Sequence, residues 1–363
     1  MPHVAQTASH SNCLFESDSS DFSHAVGAFR AYASPIIAIA GLIGSLLIII
    51  VFAKEKPRTR FSIFAISLAI AHSMSLILNT VMDDFLGRGL QFATGNQFTL
   101  KLDSTSTLAC KLMEYFPNAM YFAASYLMVT FSLDRALTIN RPLQFNSFFY
   151  RKYATLTCIL VFVVGFLGNL PFLLIQKLQF NSAIPTNYTC VMNQDYPKMA
   201  KFAIVFSTLV TFFLPVLIIF ALNIVIVTRL WQIHRWRRGQ LKIKTRIVSE
   251  LGRATGHLAM STAFLLLYVP LGFVVLVRLH FTEVHGDDTS AAALRIIDLS
   301  RFFSSLKDLA YAVNVLIYAV FLKNFRTRLL RLLSCQRNDN SLNCHAPRTE
   351  KCLQNASAPD VCS

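Results

Sequence analysis

Residues 120–140 read MYFAASYLMVTFSLDRALTIN, in which an uncharged and mostly apolar run is followed by an acid and a base side by side. If the run lies inside a bilayer, Asp134 and Arg135 sit where hydrocarbon meets water. A buried charge at that depth is costly unless it has a partner or a function. The stretch therefore predicts a membrane-spanning helix that ends in a functional pair, provided that the rest of the chain is also that of a membrane protein.

The composition is that of a membrane protein. Of the 363 residues, 54% are hydrophobic and only 15% are charged, a balance that a soluble domain of this length does not normally tolerate on its surface. Seven apolar runs have the length of roughly 20 residues that a helix needs to cross about 30 Å of hydrocarbon. They cover residues 33–51, 61–81, 112–133, 153–174, 202–227, 256–277 and about 296–321. We therefore expect an all-α membrane protein, a bundle of seven transmembrane helices.

The basic residues are spread unevenly around these runs. KEKPRTR, at residues 54–60, holds four basic residues, whereas the thirty residues before the first run hold only Arg30. Because Lys and Arg are enriched on the cytoplasmic side, the N-terminus is predicted to lie outside, which makes 23 of the 34 Lys and Arg residues cytoplasmic. The net charge of +15 then reflects topology and contact with anionic lipid of the bilayer. Nucleic acid is not expected as a partner.

The chain is predicted to have one folded domain between two polar ends. The stretch KNFRTRLLRLL, at residues 323–333, places Phe325 and Leu329 on one face and its arginines away from it. This pattern predicts a short amphipathic helix on the inner membrane surface. The regions are an extracellular N-terminal segment at residues 1–30, a seven-helix domain with the surface helix at 31–333, and a cytoplasmic tail at 334–363.

Several outer residues bear on processing and topology. Cys110 opens the third run, and Arg135 follows 25 residues later, about 37 Å along a helix, so the two residues mark opposite membrane faces. Cys13, Cys110 and Cys190 fall on the outer side, where thiols meet oxidising conditions. Asn187 begins an Asn-Tyr-Thr glycosylation acceptor in the loop between the fourth and fifth runs, also on the outer side.

The order and spacing of several motifs resemble those of the rhodopsin-like G-protein-coupled receptors. Asp134, Arg135 and Ala136 stand where the family has Asp-Arg-Tyr at the end of the third helix, and Asn314-Val-Leu-Ile-Tyr318 is similar to its Asn-Pro-x-x-Tyr. Three prolines fall where the family has prolines, which kink helices; they are Pro171, Pro215 and Pro270. The resemblance covers all seven runs.

This resemblance implies roles for named residues. A disulfide would join Cys110 to Cys190. Arg135, beside Asp134, would be held in the inactive state by Glu250 at the base of the sixth helix, and would be released when that helix swings out to admit a heterotrimeric G protein. Activation would also involve the two polar residues of the seventh-helix motif, Asn314 and Tyr318.

Departures from the family pattern limit what the resemblance implies. His72 stands where the family has an aspartate that helps bind sodium, and imidazole does not replace a hard oxygen ligand. Sodium modulation is therefore not expected, and no metal or cofactor site is predicted. For His72 itself, a hydrogen-bonded core histidine is favoured over a proton sensor.

Polar residues on three helices are candidates for ligand contact. Such groups among many apolar residues suit an apolar pocket with a few orienting contacts, and a packed core in which they satisfy one another is the alternative. Pro117 stands where amine receptors need an aspartate, so an amine ligand is not expected. Lys307 is one position away from the retinal lysine of opsins, so pairing with a carboxylate is favoured. The candidates are Glu114, Asn118, Tyr121, Tyr268, Ser304 and Asp308.

The expected function is that of a plasma-membrane receptor for an extracellular ligand. Acids in the outer segments would attract a basic ligand, and the long, hairpin-like second outer loop resembles that of peptide receptors, which favours a neuropeptide. A chemosensory receptor for small molecules is the alternative within the family. From other classes, a membrane transporter or an intramembrane enzyme is the alternative. HExxH, GxSxG and a phosphate-binding glycine loop do not occur, so an enzyme is not expected.

Overall fold

The computed structural model describes residues 21–56, 58–95, 97–140, 148–180, 188–193, 195, 197–237, 245–280 and 291–337. Within these ranges, seven long helices form a bundle and a shorter helix follows them. They are α1 (Asp21–Ala53), α2 (Arg60–Ala93), α3 (Thr107–Asn140), α4 (Phe148–Gly168, continued by Pro171–Ile175), α5 (Pro197–Phe206, Ser207–Phe213 and Leu214–Arg237), α6 (Thr245–His280), α7 (Ala291–Leu306, Leu309–Ala312 and Asn314–Phe321) and α8 (Lys323–Arg337). Strands β1 (Gln176–Phe180) and β2 (Tyr188–Met192) pair antiparallel between α4 and α5.

The third helix is the central one. Six helices, all but α3 of the seven, are long and apolar enough to cross a membrane by length and composition in the described part of the chain. α3 has 34 residues, carries polar side chains among its apolar ones, and packs against α2, α4, α5 and α6. A helix that is enclosed by other helices does not need an apolar surface toward lipid. The predicted all-α, seven-helix membrane fold is confirmed.

Helix ends differ from the predicted runs. α1 begins at Asp21 rather than near residue 33, and α2 continues to Ala93 rather than ending near residue 81. Hydropathy marks only the stretch that matches the hydrocarbon, whereas a helix continues as long as its backbone is hydrogen-bonded and its side chains pack. α1 therefore begins inside the predicted N-terminal segment. The three-region division itself remains a prediction.

Aromatic packing joins α8 to the inner end of the bundle. Phe325 of α8 is 1% exposed, and its ring lies 5.5 Å from that of Phe52 on α1 and 5.7 Å from that of Tyr318 on α7. Leu329 and Leu332 pack against the same core. The predicted amphipathic helix is thus present and is held by one apolar face.

At the outer end, α1 and α2 approach closely. A Cβ added to Gly89 would lie 2.6 Å from the carbonyl oxygen of Arg30, so the contact requires a residue without a side chain. Nearby, Arg30 Nε lies 3.3 Å from a carboxylate oxygen of Asp84, and both side chains are buried. Arg30 also donates to the hydroxyl of Ser305 at 3.2 Å, so this buried pair joins α1, α2 and α7.

Candidate functional site

A disulfide attaches the outer hairpin to the bundle. Cys110 in the first turn of α3 is bonded to Cys190 of β2, with the two Cα atoms 5.4 Å apart. Cys190 lies opposite Leu178 in the strand pair, and Asn193 N–H donates to the carbonyl of Ile175 at the end of α4. The hairpin is therefore fixed at both α3 and α4. The pairing that the family resemblance implied is confirmed.

Replacement of Cys110 by Ala is expected to reduce surface delivery severely or to abolish ligand binding. The bond closes a segment of 80 residues, and disulfides of this kind typically stabilise by about 2–4 kcal/mol. Cys190→Ala and the double variant should reduce surface delivery as much as Cys110→Ala does, because all three lack the same bond. The measurement is the surface fraction of receptors tagged at the N-terminus. A double variant that loses clearly more than either single one would contradict a shared bond.

A buried ionic network lies in the middle of the bundle. Lys307 Nζ donates to the hydroxyl of Tyr121 at 2.7 Å and to a carboxylate oxygen of Asp308 at 3.1 Å, and lies 4.2 Å from the centroid of the Tyr121 ring. It also donates to the carbonyl of Ser304 at 2.9 Å. The other oxygen of Asp308 accepts from the hydroxyl of Thr80 at 2.7 Å. The expected pairing of Lys307 with a carboxylate is confirmed, and the network joins α2, α3 and α7.

The deeper ligand candidates are already engaged with other residues. Asp308 is 0% exposed and Tyr268 is 2% exposed; the Tyr268 hydroxyl is hydrogen-bonded to that of Tyr311. Tyr121 and Ser304 bind Lys307, as described above. The side chains of Asp308, Tyr268 and Tyr121 therefore already have hydrogen-bond partners inside the bundle, whereas Ser304 contributes its backbone carbonyl. Direct contact of any of them with a ligand remains a prediction.

The outer candidates are accessible. Glu114 is exposed, and within the described part of the chain its carboxylate has no hydrogen bond or ion pair. Asn118, one turn further along α3, is half-buried and donates to the carbonyl of Glu114 at 2.7 Å. A ligand that reaches the outer end of α3 therefore meets an exposed carboxyl group first. Ligand contact by these two residues is also still a prediction.

The inner end of α3 brings together the pair of the opening stretch and its predicted partner. Arg135 is 2% exposed; its Nε donates to Asp134 at 3.1 Å, and its Nη1 donates to Glu250 of α6 at 3.4 Å. Its guanidinium carbon lies 5.2 Å from the centroid of the Phe61 ring and 5.7 Å from that of Phe131, distances that allow cation–π attraction. Arg135 thus bridges α3 and α6.

Two further arginines complete this inner site. Arg60 of α2 binds Asp134 at 2.7 Å, and Arg253 of α6 binds the second oxygen of Glu250 at 2.6 Å. Neither Arg60 nor Arg253 was among the site residues predicted from the sequence. One sequence signal could have identified Arg253: it is a base three residues after Glu250 on the same helix, a spacing at which side chains are neighbours.

The two predicted residues of α7 take no part in the ion pairs of Arg135. The amide of Asn314 donates to Nδ1 of His72 at 2.9 Å, and the His72 ring stacks on Tyr311 with centroids 4.3 Å apart. His72 is therefore the hydrogen-bonded core residue that the sequence favoured. Tyr318 is 1% exposed, and its hydroxyl has no partner within the described residues. Their roles in activation remain predictions.

Together, the fold and the site define a class of protein: a seven-helix membrane receptor with a bridged outer hairpin, a buried arginine between α3 and α6, and a surface helix. Residues 44–308 match the family model of the 7 transmembrane receptor (rhodopsin family), which is more than half of the chain. The chain belongs to this family. It is a multi-pass protein of the plasma membrane and not an enzyme.

Individual relatives are similar at low identity. The chain is 28% identical over 209 residues to the substance-P receptor of Rattus norvegicus, covering 55% of this chain and 46% of the relative. It is 26% identical over 302 residues to the B1 bradykinin receptor of Macaca mulatta, covering 80% and 78%. It is also 26% identical over 268 residues to leukotriene B4 receptor 1 of Mus musculus, covering 73% and 68%. The match thus spans less than half the length of the substance-P receptor.

Asn187, Cys13 and most of the tail lie outside the described residues. Glycosylation of Asn187 remains a prediction.

Proposed function

We propose that this receptor binds an extracellular peptide and activates a heterotrimeric G protein when α6 moves outward from α3. The observation that carries the proposal is the bridge from Arg135 to Glu250, because it is a charge contact between two helices at the inner face. Such a contact stabilises only the arrangement in which α6 lies against α3. A stimulus that favours the other arrangement shifts the equilibrium by its differential affinity for the two states.

A peptide ligand is supported by the outer surface. The β1–β2 hairpin, attached through Cys190, carries an aromatic cross-strand pair, Phe180 and Tyr188, which are 64% and 44% exposed. Glu114 adds an exposed acidic side chain at the outer end of α3. Aromatic area together with a negative charge suits a peptide with apolar and basic residues. The relatives named for substance P and bradykinin are peptide receptors.

A small-molecule ligand is the second candidate. One relative is named for leukotriene B4, and the half-buried Tyr121 and Ser304 lie below the accessible outer positions. A compact ligand that entered the bundle would meet the charge of Lys307 beside them.

The test is a screen on cells that express the full chain with several chimeric G proteins. A peptide library and a library of lipids and small organic molecules are applied in separate arms, and G-protein activation is measured against untransfected cells. We expect a response to peptides that weakens when Glu114 is replaced by Gln. Activation only by small molecules would support the second candidate. Ligand-dependent flux of a solute without G-protein activation would contradict a receptor.

Glu250→Ala is expected to raise ligand-free signalling. The substitution removes a contact that exists in only one of the two states, but Glu250 is 35% exposed and shares its charge with Arg253. The increase should therefore be about two- to fivefold, at the low end of typical coupling. The measurement is basal G-protein activation per receptor at the cell surface.

The matched control for Glu250→Ala is Asp298→Ala, which removes an acid that binds Arg301 near the outer end of α7. Asp298→Ala should leave basal activity unchanged. Unchanged basal activity in Glu250→Ala at equal expression would show that the bridge does not hold the inactive state.

A further inference from the structure

A second carboxylate faces α6 from the first inner loop. Glu55 follows α1, and its side chain is 12% exposed. Its Oε1 lies 3.8 Å from Nη2 of Arg253 on α6 and 3.7 Å from Nη1 of Arg328 on α8. Glu55 therefore lies within ion-pair distance of two arginines on different helices.

The start of α2 holds the carboxylate of Glu55 in place. Its Oε2 accepts hydrogen bonds from the hydroxyls of Ser62 and Thr59. Thr59 is the N-cap of α2, and its hydroxyl oxygen accepts from the backbone N–H of Ser62 at 3.2 Å. Because an N-cap is part of the helix start itself, Glu55 is anchored to α2 and does not move with α6.

Arg253 connects this anchored carboxylate to the bridge of α3 and α6. Its Nη1 lies 2.6 Å from Oε1 of Glu250, whose Oε2 faces Arg135. Its guanidinium carbon lies 5.8 Å from the centroid of the Phe61 ring, which also lies beneath Arg135. Four charges of alternating sign thus follow one another, from Glu55 through Arg253 and Glu250 to Arg135.

We propose that Glu55 is a positioning residue that holds α6 in the inactive arrangement through Arg253. This proposal rests on the proposed function, in which α6 moves away from α3. One terminal nitrogen of Arg253 pairs with Glu55 and the other with Glu250. The second carboxylate oxygen of Glu250 then pairs with Arg135. Without Glu55, both terminal nitrogens of Arg253 can bind Glu250, and they compete with Arg135 for its carboxylate. The loss of Glu55 therefore removes one contact of α6 and weakens the other.

The experiment measures the position of α6 directly. Nitroxide labels are placed at Ser249 on α6 and at Thr155 on α4, in full-length receptor whose cysteines other than Cys110 and Cys190 are replaced by Ala. Pulsed electron resonance then gives the distribution of distances between the two labels without ligand or G protein. Glu55→Gln should raise the ratio of long to short distances roughly two- to fivefold, the effect expected from the loss of one weak ion pair.

A double-mutant cycle tests whether Glu55 acts through Arg253. In the Arg253→Gln background, Glu55→Gln should change the distance distribution no further. Arg326→Gln is the charge-matched control for Arg253→Gln, because Arg326 is exposed on α8, and it should leave the distribution unchanged. If Glu55→Gln shifted the distances equally in the unchanged receptor and in Arg253→Gln, the proposal would be overturned. It would also be overturned if Arg328→Gln gave the same shift as Glu55→Gln.

Failure of the inference and failure of the proposed function give different results. If Glu250→Ala lengthens the distances and Glu55→Gln does not, only the role of Glu55 is wrong. If neither variant moves α6, the bridge of the proposed function is wrong as well. Where Glu55→Gln does not fold, Glu55→Asp retains the charge and withdraws the carboxylate from Arg253. It should give a smaller shift in the same direction, and no shift would overturn the proposal.

Discussion

Arg135→Ala is expected to abolish G-protein activation while the receptor still reaches the cell surface. The side chain pairs with Glu250 of α6, and the proposed activation needs it free at the inner face. Folding should survive the substitution, because Asp134 keeps its 2.7 Å contact with Arg60 and is not left as an unpaired buried charge. The expected loss of activation is at least roughly tenfold, which corresponds to about 1.4 kcal/mol of coupling free energy.

No ligand is needed for the test of Arg135→Ala. Glu250→Ala is used as the background, since its raised basal activity provides the signal, and the double variant is compared with it at matched surface expression. The control is Arg141→Ala, which removes a cationic side chain six positions further along the chain. Full basal activity in the double variant would contradict the coupling role of Arg135.

Arg141 lies outside the described residues. It serves only as a charge-matched comparison, so its loss should leave basal activity close to that of the Glu250→Ala background. A loss equal to that of Arg135→Ala would show that the inner charge in general, rather than Arg135, carries the effect.

Asp308→Asn is expected to destabilise the receptor by about 3 kcal/mol, the low end of the range for breaking a buried ion pair on one side. The substitution leaves the ammonium of Lys307 buried, at 4% exposure, without its carboxylate. An amide oxygen at this position still accepts from Thr80, so the loss is mainly one of charge. The measurement is the thermal unfolding midpoint of purified receptor in detergent.

The double variant Asp308→Asn with Lys307→Met is the control for this effect. It removes both charges and should recover most of the lost stability, because no unpaired charge remains in the core. If Asp308→Asn unfolds at the temperature of the unchanged receptor but loses ligand response, Asp308 contacts the ligand and the structural role is wrong.

Much of the fold was predictable because it depends on local properties of the chain. The second apolar run marks α2 and the amphipathic stretch after Phe321 marks α8, since length and periodicity are visible without knowing any neighbour. The ends of α1 and α2 were not predictable in this way. They are set by contacts such as that of Gly89 with Arg30, which hydropathy does not record.

The candidate site was predictable in part. The family resemblance led to Arg135 and Glu250, and the structure places the two in contact. It did not lead to Arg60 or to the place of Glu55, because neither belongs to a motif. For the ligand candidates, sequence alone left open whether Asp308 faces a pocket or a core, and its burial favours the core.

The sequence by itself determined the seven spans, their orientation and the inner position of Arg135. The bilayer acts on each segment separately, through its length, its apolar character and the Lys and Arg residues at its ends. Only the tertiary structure decided which buried charges pair, as for Arg30 with Asp84 and Lys307 with Asp308 and Thr80. Thr80 and Asp308 are 228 positions apart, and their contact depends on the rotation and approach of α2 and α7. If either helix shifted by a few ångströms, the two side chains would no longer be within hydrogen-bond distance. No local pattern in the chain specifies the relative position of two helices so closely.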